Sequence, residues 1–173
     1  EDGTYSLDLE ARLDAPADAV YDALTDLDHL DRLSQAIVRS RRLEEVSDGQ
    51  PLVRMVTEGC VAFFCRTLVR VMRVHEQSDL RATIEVLPER SDFRSGSSSI
   101  RVQADGPGSR LELRVRMTPD IWLPPLIGPW QVKKNIRWHY RRMVHRLEHL
   151  GAGEPVPAKR PPSDSPPDPT GGT

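Results

Sequence analysis

Residues 129–150 read PWQVKKNIRWHYRRMVHRLEHL, and their spacing decides the architecture. Ile136, Tyr140, Met143, Leu147 and Leu150 recur at steps of four, three, four and three, which places all five on one face of an α-helix. Val132 extends that face by one turn. The other faces carry Lys133, Lys134, Arg137, Arg141, Arg142 and Arg146 against a single acid, Glu148. A long amphipathic helix has to bury its apolar stripe. Most of the chain ahead of it reads as strands, so a sheet is the surface it covers.

Upstream of the helix, apolar and polar residues alternate. Tyr5, Leu7, Leu9, Ala11 and Leu13 point one way, and Ser6, Asp8, Glu10 and Arg12 the other, as in a half-buried strand. Asp14-Ala15-Pro16 then opens a helix with Pro16 in its first position and Asp18 in the first turn, and Ala17, Val20, Tyr21, Leu24 and Leu27 form its buried stripe. A second short helix is expected around His29 to Leu33. Six strands follow, at 37–46, 52–60, 64–75, 81–86, 94–104 and 111–117, with turns at Ser47-Asp48-Gly49-Gln50, Gln77-Ser78-Asp79 and Gly106-Pro107-Gly108-Ser109. Turns this short imply antiparallel pairing. The class is therefore α+β. The last 23 residues hold seven Pro and four Gly and almost no large apolar side chain, so the domain is expected over 1–151, with a disordered tail at 152–173.

Charge is segregated although the net is only −2. Six Asp and one Arg lie between Asp14 and Arg32, and the terminal helix is the reverse. The near-neutral balance argues against a nucleic-acid partner. No apolar run reaches the ~18–20 residues of a membrane span. The only cysteines are Cys60 and Cys65, at the end of one strand and the start of the next. Facing residues of a hairpin have Cα atoms roughly 4.5–5.5 Å apart, within disulfide range, so a Cys60–Cys65 bridge is expected; the competing reading is two buried thiols. The bridge, with a first residue other than Met, leads to the expectation of a periplasmic or secreted protein, the alternative being cytoplasmic.

Two stretches resemble the START-like (SRPBCC) superfamily of polyketide cyclases, coenzyme-Q-binding START proteins, birch-pollen-type allergens and lipid-transfer domains. One is Leu13-Asp14-Ala15-Pro16-Ala17-Asp18-Ala19-Val20-Tyr21-Asp22-Ala23-Leu24-Thr25-Asp26, and the other Pro119-Asp120-Ile121-Trp122-Leu123-Pro124-Pro125-Leu126-Ile127-Gly128-Pro129. The resemblance covers residues 4–150. It implies a helix-grip fold: a curved antiparallel sheet of about seven strands wrapped round the C-terminal helix, with two short helices after the first strand. It also implies an apolar cavity between sheet and helix. The residues expected to line that cavity are Tyr21, Leu24, Val69, Val71, Ile84, Ile100, Val102, Leu126, Trp130, Ile136, Tyr140 and Met143. For any one of them, ordinary core packing is the plainer reading. Only the set, on this fold, favours a pocket.

No catalytic constellation, cofactor motif or metal motif emerges. His145 and His149 are four apart, but no carboxylate completes a metal signature. Glu58, Arg66, Arg70, Asp92 and Arg94 are the polar groups that could face a cavity, with Arg70 or Asp92 the choice for a cyclase; cross-strand charge pairs on the outer face are the plainer reading. The expected function is binding or transfer of a hydrophobic small molecule: a lipid, quinone or polyketide-like compound. The alternatives are a cyclase/aromatase-like enzyme and a ligand-free interaction module. Trp138 lies off the apolar stripe among cations. With Trp122, Lys134, Arg137 and Arg141 it is expected to give weak contact with anionic membranes.

Overall fold

The computed structural model describes residues 3–61, 64–121, 129–151 and 153, with only the backbone described at 45–47, 61, 64 and 129–136. The Pro/Gly-rich tail, apart from Gly153, and the apolar loop holding Trp122 and Leu126 lie outside the described residues. The element order is β1 (Tyr5–Leu13), α1 (Ala17–Thr25), a 3-10 turn (Leu30–Arg32), β2 (Ile37–Ser47), β3 (Gln50–Val61), β4 (Phe64–Gln77), β5 (Arg81–Val86), a second 3-10 turn (Pro88–Arg90), β6 (Phe93–Asp105), β7 (Gly108–Pro119) and α2 (Pro129–Gly151). The second short helix is thus a single 3-10 turn, and another such turn breaks the path from β5 to β6.

All seven strands form one antiparallel sheet in the order β1-β7-β6-β5-β4-β3-β2. The two helical pieces carry the chain from one sheet edge to the other, and the meander β2 to β7 brings it back beside β1. The expected helix-grip arrangement is what the chain adopts. Registers such as Leu9↔Leu113, Ile100↔Leu113 and Met72↔Val86 align one apolar row from strand to strand. Leu13, Val53, Met72, Val74, Ala82, Ile100, Val102, Leu111, Leu113 and Val115 from that face join Met143 and Leu147 of α2 in one core. α2 packs against β1 and also against β3, near opposite edges of the sheet. It can do so only if the sheet curls around it.

α1 closes one end of the grip. Val20, Tyr21 and Leu24 are buried, and the Tyr21 hydroxyl donates to the Arg81 carbonyl at 2.9 Å. The end of α2 lies so close to the start of α1 that a Cβ on Gly151 would come within 2.5 Å of the Ala15 Cβ. The buried Arg146 ties α2 to the first 3-10 turn by donating from Nη1 to the Arg32 carbonyl at 3.0 Å. Part of the Asp run is structural, not merely solvated. Asp28 Oδ1 accepts from the Arg42 amide at 2.7 Å, and Asp26 pairs with His29 at 2.9 Å.

Candidate functional site

β5 stops at Val86, opposite Met72, while β4 runs on toward Phe64. Beyond that point the segment after β5 borders β4 in place of a strand. Leu87 N donates to the Val71 carbonyl at 2.9 Å and Asp92 N to the Val69 carbonyl at 2.9 Å. The Val71 amide donates to Ser91 Oγ at 2.9 Å, and the Val69 amide to Asp92 Oδ2 at 2.7 Å. Asp92 therefore satisfies a sheet edge with its carboxylate and is exposed to solvent. It is not a group aimed between sheet and helix.

Strand alternation then decides which expected liners face α2. Met72 and Val74 of β4 belong to the core, so Arg70 shares their face, whereas Val69 and Val71 stand on the outer face. Glu58 is exposed, and its register partner Thr67 shares the outer side with Val69. Ile100, Val102 and Met143 belong to the core, and Ile84 and Tyr140 pack against it. Tyr21 and Leu24 are also in the core, at the closed end. Trp130 and Ile136 lie on α2, where only backbone is described. Arg66 is exposed near the hairpin tip, and Arg94 pairs with Asp120 at 3.8 Å.

Arg70 is the unusual member of the inner face. Its Nη1 donates to the Met117 sulfur at 2.9 Å and its Nη2 to the Met55 sulfur at 3.0 Å. Its guanidinium carbon lies 5.4 Å from the Phe93 ring centre. Met117 belongs to β7, three strands from β4, a distance of roughly 14 Å across a flat sheet. The direct contact reports how tightly the sheet curls. Arg70 Nε is sealed from solvent and has no hydrogen-bond partner among the described residues, although the residue as a whole is only half-buried. Among the described residues no carboxylate pairs with it. A guanidinium carries five N–H donors, and thioethers are weak acceptors, so most of this charge is uncompensated.

Tyr140 of α2 faces the same space. Burial pushes the Arg70 guanidinium below its ordinary pKa, and Tyr140 works against that shift. Burial raises the Tyr140 phenol, and Arg70 opposes the rise. The pair thus sets a cation and a neutral hydroxyl beside Met55, Met117 and Phe93. Such a constellation can hold an oxygen bearing negative charge, or a polarised carbonyl. The sequence reading missed Met55, Met117 and Phe93. Met55 and Met117 sit within expected strands, whereas Phe93 lies just ahead of the expected start at 94 and beyond a register shift, and their meeting depends on the curl of the sheet.

The metal question has a plain geometry. The His145 and His149 rings are 4.7 Å apart and His145 pairs with Glu148 at 3.6 Å, but among the described residues no cluster of three ligating side chains forms.

The family described as polyketide cyclase / dehydrase and lipid transport matches residues 5–150. The chain belongs to that family. Solved structures with the same fold include TTHA0849 from Thermus thermophilus, with a TM-score of 0.68 at 16% identity, covering 86% of this chain and 98% of that one. A START superfamily protein from Mycobacterium smegmatis matches with a TM-score of 0.64 at 18% identity, over 87% of this chain and 97% of that one. The Zhui aromatase/cyclase from Streptomyces sp. R1128 matches with a TM-score of 0.66 at 16% identity, over 86% and 94%. No curated protein matches the sequence significantly. As a member of this polyketide cyclase and lipid transport family, the chain carries a fold suited to holding an apolar compound between sheet and helix.

Proposed function

We propose that this protein binds a hydrophobic small molecule between the sheet and α2, with an oxygen of that molecule seated on Arg70. The observation that carries the reading is a guanidinium whose described neighbours are two thioethers, an aromatic face and the Tyr140 phenol, with no carboxylate among them. Leaving an enclosed cation so poorly paired costs stability unless another group supplies an acceptor. A ligand carboxylate, enolate, phenolate or ketone would supply the missing acceptor. The apolar residues around it accept the rest of the molecule, so an amphipathic lipid, a quinone or a polyketide-like compound fits. The Cys60–Cys65 bridge supports an oxidising compartment as the place where this happens.

The test is native mass spectrometry of protein purified from its own host, with extraction and identification of the bound compound. A co-purified, oxygen-bearing apolar molecule is the expected result. The Arg70→Met variant should lose it, with affinity falling on the order of tenfold to a hundredfold, the worth of one charge-assisted hydrogen bond. Wild type that is empty, and that takes up no apolar ligand with a carbonyl or carboxylate, overturns the reading.

A second reading, cyclisation of a polyketide, draws on the same pair. Arg70 would stabilise an enolate while Tyr140 donates a hydrogen bond. Against it, the Asp92 carboxylate is committed to the Val69 amide, and among the described residues no carboxylate reaches Arg70. Turnover of a poly-β-ketone analogue that disappears in Arg70→Met would favour cyclisation. Binding without turnover favours a carrier.

A further inference from the structure

Among the described residues, the face of α2 turned away from the sheet has no partner. Tyr140, Met143 and Leu147 pack into or against the core. Half a turn round the helix, at steps of three, one and three, lie Trp138, Arg141, Arg142 and His145, with Arg137 at the margin, and all five are exposed. Trp138 is 47% exposed, on the row opposite the buried stripe. A tryptophan there leaves about half of its surface in water. Its ring meets Arg142, whose guanidinium carbon lies 4.7 Å from the ring centre, and His139, edge-on at 4.9 Å. None of Arg137, Arg141 and Arg142 forms a salt bridge among the described residues. The one described acid on this helix, Glu148, pairs with His145 at 3.6 Å.

We infer that this face docks on an anionic lipid surface. Charge complementarity names the partner: three unpaired arginines on one exposed ridge attract a negatively charged plane. The tryptophan separates lipid from other polyanions. Its ring has an apolar body and one N–H donor, which suits the boundary between headgroups and acyl chains. Glu148 is the one described acid on this helix, and the exposed Asp14, Asp18 and Asp22 belong to the α1 segment. The inference stands apart from the occupancy of the interior, because it uses the opposite side of α2. Of the residues expected to touch membrane, Arg137, Trp138 and Arg141 lie on this face, while the side chains of Trp122 and Lys134 are outside the described set.

The experiment is co-sedimentation of the full chain with vesicles of phosphatidylglycerol or of phosphatidylcholine, at low salt and near 1 M salt. Sedimentation with phosphatidylglycerol alone is expected, with release at high salt, where the screening length falls to about 3 Å. Arg141→Gln and Arg142→Gln should each weaken partitioning about fivefold. Trp138→Ala should weaken it as well, with an unchanged melting temperature for all three exposed-site variants. Equal recovery in the supernatant with both lipids overturns the inference. So does binding that needs the arginines but is indifferent to Trp138→Ala, which would assign the face to an acidic protein or nucleic acid. A dimer in solution that dissociates in Trp138→Ala would assign it to a second copy of the chain and overturn it equally.

Discussion

Two glycines show how single positions carry backbone geometry here. Gly108 opens β7 directly beside the end of β1, and a Cβ added there would run into the Leu13 carbonyl oxygen. The Cβ is fixed by the Gly108 backbone and the oxygen it meets is main chain, so relief requires opening the β1–β7 ladder. Gly59, in the β3–β4 hairpin, has nothing within 4 Å of an added Cβ. Gly108→Ala should therefore lower stability by about 1–3 kcal/mol, as overpacking does. Gly59→Ala should be neutral or slightly stabilising, by up to about 1 kcal/mol, because it restricts only the unfolded chain. Urea midpoints of the two variants check this directly. Equal loss in both would show that the contact at Leu13 is not the cause. Arg70 is the other residue whose meaning is positional: its type was visible in the sequence, but nothing in the sequence named two methionines as its neighbours.

Among the elements, the β3–β4 hairpin is the one held by a covalent bond. Cys60 and Cys65 face each other in its register, with Cα atoms 4.0 Å apart, and are bridged as their spacing implied. Both residues are exposed, so the bond pins the hairpin and does not fill the core. For so short a closed loop, chain entropy gives about 2 kcal/mol. The double variant Cys60→Ser with Cys65→Ser should fold and should melt roughly 4–8 °C lower, given about 2–4 °C per kcal/mol for a domain of this size. Thermal melts with and without reductant check it, and loss of the fold on reduction would refute it. α2 is held differently, through side chains. Leu147 is fully buried, and Leu147→Ala should cost about 2–5 kcal/mol, whereas Trp138→Ala on the opposite face should cost almost nothing.

For the molecule as a whole, the alkaline pH response rests largely on its three tyrosines. Burial raises Tyr5; burial, with Glu76 and Asp22, raises Tyr21; and burial raises Tyr140 despite Arg70. All three then lie above the ordinary value of 10.0 in the folded chain. The folded state keeps protons that the unfolded state releases first. Their contribution is fully present below about pH 10 and is lost as pH rises through the folded values. Denaturant midpoints should fall between about pH 9 and about pH 11, and tyrosinate absorbance should appear together with unfolding, not before it. Early ionisation in the folded protein would refute this. The strands, the two helices, the hairpin bridge and the interior stripe of α2 were legible beforehand, because period-2 and period-3.6 patterns are local. Face assignment within β4 was not legible, because Val69 and Val71 look as core-like as Met72 until register fixes which side faces α2. Nor could spacing reveal that Asp92 completes a sheet edge, since β5 ends before β4 does. The cluster around Arg70 depends on strands from opposite parts of the chain meeting across a curled sheet. That curl sums small twists over seven strands around one helix, and no short stretch of sequence records the sum.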